Sequence, residues 1–133
     1  MQNMKIRFLS PEEVVKYHQE MIKLYGGEPG IRDIKLLESA INQACIGDAS
    51  GNFFNKDLFE MASTYLCGIA KNHPFIDGNK RTALYSSVMF LRFNLGDTTI
   101  NQVEAYAITM GVVLSKVSKE QIAKFFREKY NIC

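Results

Sequence analysis

The sequence predicts an all-α fold: a compact bundle of about six helices around one central buried helix, with at most short extended segments. Three observations carry that prediction. Apolar residues recur at helical spacing through most of the chain. Capping patterns open several of the periodic stretches, with Ser or Asn three places ahead of Glu or Gln. Residues 83–93 are apolar nearly all round apart from Ser86, Ser87 and Arg92, the pattern of a helix covered on every side.

The elements follow in order. Ser10-Pro11-Glu12-Glu13 supplies a cap, a proline at the first helical position and a Glu at the third, opening a helix that Gly26-Gly27 closes. Its expected inner face is Val14, Tyr17, Met21 and Leu24, with His18 as a packed or partly exposed residue rather than a ligand. Asp33 can cap a second helix carrying Leu37, Ile41 and Ala44, with Gly47 as the stop. Residues 46–56 read as a loop of small and polar residues. In it, Phe53 and Phe54 either pin the loop to the core or form an exposed docking edge. A third helix over 57–71 presents Leu58, Met61, Ala62, Tyr65 and Ile69 and delivers the chain into His73. The core helix follows and stops at Gly96. Asn101 with Glu104 and Ser118 with Gln121 open two further amphipathic helices, the last carrying Ile122, Phe125, Phe126 and Tyr130. Only 5–9 and 98–100 look extended.

A length of 133 residues suits one domain, 1–133. The 16 basic and 14 acidic residues leave a net charge of +2 with no long basic run, so no direct nucleic-acid partner is expected. No apolar run approaches a membrane span and the start is too polar to precede a secretory segment, which predicts a soluble, cytoplasmic chain. Cys45, Cys67 and Cys133 are odd in number and widely spaced, as reduced thiols would be, and Cys45 and Cys67 read as small core residues.

Between the third helix and the core helix, His73-Pro74-Phe75-Ile76-Asp77-Gly78-Asn79-Lys80-Arg81-Thr82 crowds a base, a carboxylate, an amide and two cations into one loop. Lys80 and Arg81 fall in the first turn of the core helix, where the helix dipole disfavours each by ~0.3–1 kcal/mol. Free backbone N–H groups at the same helix end bind anions, so a phosphate would turn that misplacement into a site. Asp77 beside phosphate oxygens calls for a divalent ion between them, and Mg2+ with its oxygen ligands fits. The bland alternative makes Pro74 and Gly78 turn residues, Asp77 or Asn79 a helix cap and His73 a loop residue. It leaves both cations unexplained.

These residues resemble the motif of the Fic/Doc superfamily, H-P-F-x-D/E-G-N-G-R followed by a second arginine. Lys80 stands where most Fic proteins have glycine, and Leu84 where they carry the second arginine. Both departures are those of the Doc (death-on-curing) branch, toxins of toxin–antitoxin pairs, whose motif looks like H-x-F-x-D-x-N-K-R-T-A-L. The resemblance extends from Ser10 through Tyr25-Gly26-Gly27-Glu28-Pro29-Gly30 to the C-terminal helix.

The resemblance implies His73 as general base toward a target hydroxyl and Asp77 as the Mg2+ ligand. It implies Gly78, Asn79, Lys80 and Arg81 as the cradle of the phosphates of ATP, and Phe75 as a buried anchor. In the Doc branch it implies transfer of the γ-phosphate onto a threonine of elongation factor Tu, arresting translation. The alternative is AMP transfer, as in Fic proteins with the full motif, and the third reading is a catalytically silent protein-binding module. The family's target-docking flap is expected at residues 46–56. The inhibitory pattern S/T-x-x-x-E-G/N is missing, because no Glu here precedes Gly or Asn. Restraint is then expected from a partner antitoxin folding over the site.

Overall fold

The computed structural model describes residues 5–130; Cys133 and the polar start at 1–4 lie outside the described residues. Six helices account for most of the chain: α1 (Pro11–Tyr25), α2 (Ile34–Cys45), α3 (Leu58–Asn72), α4 (Asn79–Leu95), α5 (Gln102–Val113) and α6 (Lys119–Tyr130). The extended stretches expected at 5–9 and 98–100 form no strand, and the described residues hold only two isolated bridges, Ile31 with Phe75 and Gly47 with Phe53.

Local chemistry sets the helix ends. The Ser10 hydroxyl accepts the Glu13 amide at 3.2 Å and the Glu13 carboxylate accepts the Ser10 amide at 2.9 Å, a reciprocal cap that fixes the start of α1. Asp33 accepts the amides of Lys35 and Leu36, Asn101 that of Glu104, and Ser118 that of Gln121. On α1, Val14 and Met21 point inward as expected. Leu24 does not: at 64% exposure it overhangs the bundle in the last turn.

The core helix, α4, shares the centre with α3. Helix α3 is flanked by α2, α4, α5 and α6, whereas α4 lies between α1, α3 and α5. Phe75, Tyr65, Leu66, Ile69, Phe90, Leu91, Ile122 and Phe126 are sealed in the shared core. Helix α5 departs from expectation. It buries Ala105, Thr109 and Val112 but leaves Val103 and Val113 exposed, so its apolar residues lie on more than one side.

Helices α2 and α3 form an antiparallel pair, and that pairing decides where the loops lie. The Asn72 side chain donates to the Leu36 carbonyl at one end, while Asn55 donates to the Gln43 and Ala44 carbonyls at the other. The 46–56 loop is therefore at the opposite end of α3 from His73, about 22 Å away for fifteen residues at helical rise. It is also firmly tied down. Asn55 is buried and its carbonyl oxygen accepts from Thr64 at 2.8 Å and Lys119 at 2.7 Å. Phe53 packs edge-on against Phe8 and so helps pin the loop, although it and Phe54 both remain exposed. Cys45 is exposed at the end of α2 and is not a core residue; Cys67 is half-buried, with its thiol pKa pushed up by burial.

Candidate active site

His73 is the C-cap of α3, in the left-handed region at φ 55 and ψ 53. A non-glycine residue there is disfavoured by ~1–2 kcal/mol, so its surroundings must hold it. Arg32 does this. Its Nε donates to the His73 carbonyl at 2.7 Å and its Nη2 to the Asn72 carbonyl at 2.8 Å, placing a cation on the negative end of α3. The Arg32 and Asp33 amides both donate to the Pro74 carbonyl, and the Ile76 amide donates to that of Gly30. Residues 26–33 are thereby laced along 72–77, bringing the mouth of the site beside α1 rather than beside residues 46–56.

Asn79 has a different job from the one its sequence position suggests. It is 3% exposed, its carbonyl oxygen accepts the Phe75 amide at 2.9 Å, and its amide donates to the Phe75 carbonyl at 2.9 Å. That backbone pair fixes which end of the side chain is which. The remaining contact, 3.0 Å to His73 Nδ1, is then a donation by the amide. Both amide protons are used in this structure, so the Asn79 side chain staples the loop and orients the imidazole, and it could reach a phosphate only by giving up one of these partners. In a neutral His73 the ring proton consequently sits on Nε2.

Asp77 is exposed and accepts two backbone amides, Glu28 at 3.1 Å and Gly78 at 2.8 Å. Those bonds hold its carboxyl below the usual aspartate range. Gly27 makes the approach possible: at φ 117, a Cβ there would come within 2.9 Å of the Asp77 carboxylate. Asp77 does not cap α4. The N-cap is Gly78 at φ 75 and ψ 18, which glycine adopts freely, and no side chain caps the helix. The Gly78 amide, expected to face phosphate, is spent on Asp77; the free amides of the first turn begin after it.

Lys80 and Arg81 sit in that turn as expected. Among the described residues no carboxylate forms an ion pair with either one. The Arg81 guanidinium lies 3.9 Å from the centre of the Tyr25 ring and 4.7 Å from that of Tyr106. It forms one wall of a groove of about 460 Å³ between α1, α4 and α5, which Leu84, Val88 and Ile100 also line.

The donor set suits a magnesium nucleotide. The uncapped start of α4 and two cations suit phosphate oxygens, and the ionised carboxylate suits a hard cation. Among the described residues no cluster of three metal-ligating side chains is present, and Asp77 is the residue that would hold Mg2+, which would supply charge neutralisation at the phosphates.

Residues 8–91 match the family model described as Fic/DOC family, well over half of the chain. The chain belongs to the Fic/DOC family. It is 37% identical over 125 residues to the protein kinase doc of Escherichia phage P1, covering 94% of this chain and 97% of that protein. A shorter match, 34% over 70 residues and 53% of each chain, joins it to toxin Doc of Mycolicibacterium smegmatis. Its Doc-branch character is thus shared with named relatives. All six expected site residues fall in the one loop and helix start. Arg32, Glu28 and His18 also belong to the site, through contacts that the sequence pattern does not mark. The nearest signal is the glycine run at 26, 27 and 30, all at positive φ, which marks backbone making an unusual approach.

Proposed function

We propose that the chain is a Doc-like toxin that moves the γ-phosphate of Mg-ATP onto a hydroxyl of a target protein, a threonine of an elongation factor Tu-like protein, and so arrests translation. The observation that carries this reading is the start of α4: a long helix with no side-chain cap, two cations in its first turn and an ionised carboxylate just before it. The kinase name of the phage relative supports it.

His73 would take the proton from the attacking hydroxyl as that oxygen bonds to the γ-phosphorus and the bond to the β-phosphate oxygen breaks, releasing ADP. With Nε2 protonated at rest, the hydroxyl must reach Nδ1 in place of Asn79, or the ring must exchange its proton on losing that contact. Lys80, Arg81 and the first-turn amides would hold phosphate oxygens. Mg2+ on Asp77 would neutralise charge shared between them.

Leu84 favours γ-transfer over AMP transfer. The position where full-motif Fic proteins carry a second arginine is here a buried leucine, which offers a terminal phosphate no donor. The target would approach across Ile31, Ile34 and Ile76, exposed apolar side chains on the laced loop and its flanks, which takes the docking role away from residues 46–56. An antitoxin segment would close the groove, whose rim exposes Leu24, Tyr25 and Val103. A cytoplasmic setting belongs to the same reading, and among the described residues no helix is long and apolar enough to cross a membrane.

The test is incubation of the protein with cell extract and ATP labelled separately at the α- and γ-phosphates. Label from γ alone, with a mass gain of one phosphate on the target, is expected. Label from α alone would replace this reading with AMP transfer.

A further inference from the structure

His18 is a buried titratable side chain that the proposed chemistry does not use. It lies in the middle of α1, 3% exposed, in a helix that otherwise turns apolar residues inward. Its Nε2 is 2.8 Å from the carbonyl oxygen of Asp77. A carbonyl only accepts, so Nε2 carries the proton. The ring lies parallel to Phe75, with centroids 3.9 Å apart and planes 4° apart. A leucine or phenylalanine would fill the same space against Phe75 without a polar atom to satisfy. What the imidazole adds is one donor, aimed at one carbonyl.

That carbonyl belongs to the Asp77–Gly78 peptide, whose N–H points the other way to the Asp77 carboxylate at 2.8 Å. The peptide unit is therefore held at both ends, by His18 on its oxygen and by the Asp77 side chain on its nitrogen. Its plane fixes two things together. It aims the carboxylate expected to hold the metal, and it sets the left-handed Gly78 from which the uncapped turn of α4 starts. The His18 ring also packs on Gly78, 3.7 Å from where a Cβ would stand.

We propose that His18 is a positioning residue of the site: its Nε2–H orients the Asp77–Gly78 peptide and, through it, the Asp77 carboxylate and the first turn of α4. The proposal rests on the nucleotide reading only where nucleotide is the readout. Three measurements test it. In the unmutated protein, nitrogen-15 NMR should show His18 as the Nε2–H tautomer; an Nδ1–H ring overturns the proposal whatever any variant does.

His18→Phe keeps the stacked ring and removes the donor. It should speed hydrogen exchange at the Gly78 and Glu28 amides with no nucleotide present. It should also weaken Mg2+-dependent binding of a non-hydrolysable ATP analogue by about tenfold, the usual scale for a group that orients a metal ligand. Binding without Mg2+, which reads only the first turn of α4, should fall by less, and His18→Gln, which regains a donor, should recover part of both losses. Unchanged exchange and unchanged Mg2+ dependence in a folded His18→Phe overturn the proposal. So does an equal loss with and without Mg2+ that Gln does not relieve, since that is packing alone. If the unmutated protein binds no Mg-nucleotide, the functional reading fails, and the tautomer and exchange measurements still decide the role of His18.

Discussion

Replacing Asn79 with alanine separates a loop staple from a phosphate ligand. The Phe75 amide and carbonyl are paired with the Asn79 side chain, and Phe75 itself is fully buried. Truncation leaves both backbone groups without partners. At ~1–3 kcal/mol for each buried unsatisfied group, the loss is about 2–6 kcal/mol. The loop borders solvent at His73 and Ile76, so water entry brings this to the low end, about 2–3 kcal/mol. A chain of this length drops about 3–4 °C per kcal/mol, which puts the melting temperature roughly 6–12 °C below that of the unmutated protein. The assay pairs thermal unfolding by circular dichroism with titration of a non-hydrolysable Mg-ATP analogue well below the transition. Asn79→Asp is the companion variant: it keeps an acceptor for the Phe75 amide but sets a carboxylate against the Phe75 carbonyl, and should fall between the two. A melting temperature equal to that of the unmutated protein, with nucleotide binding abolished, would refute the reasoning and make the side chain a ligand.

His73→Ala should abolish target labelling while leaving Mg-nucleotide binding largely intact, and retained activity would remove the imidazole from the chemistry. Arg32→Ala removes both donors to the end of α3, so it should lower target labelling together with the melting temperature, as the left-handed His73 loses its hold; unchanged labelling would show the αL turn to be self-supporting. Asp77 has a depressed folded pKa, so its bonds to Glu28 and Gly78 contribute stability above the ordinary aspartate pKa and lose it as pH falls through the lowered one. Mg2+-dependent binding should fade over that acid range, and Asp77→Asn should bind weakly with no such transition in calorimetry. Shortening residues 49–51, beyond the Asn55 anchor and at the far end of α3, should leave both nucleotide binding and target labelling in place. Loss of labelling alone would return the docking role to that loop.

The helices were legible because their signals are local. Caps at Ser10, Asp33, Asn101 and Ser118 involve residues two or three apart, and the stripe of α3 repeats every turn. The crowding from His73 to Arg81 was legible as chemistry for a related reason: two cations at a helix start contradict the dipole, and contiguous residues make the contradiction visible. What each side chain does within that loop was not legible. Asn79 looked like a ligand because amides often are, and only its distances to Phe75 and His73 show its protons already committed. The distance of residues 46–56 from His73 was not legible because chain order does not give antiparallel geometry: they precede the helix that ends at His73, yet the helix itself holds them away. Arg32 and His18 reach the site across 41 and 59 positions of sequence. The sequence thus determined where the candidate site lies and which helices frame it, since local preference and charge placement act within a few positions. The tertiary structure alone decided which of the site's residues are left unpaired and which hold the others in place, since that depends on contacts between segments that share no local signal.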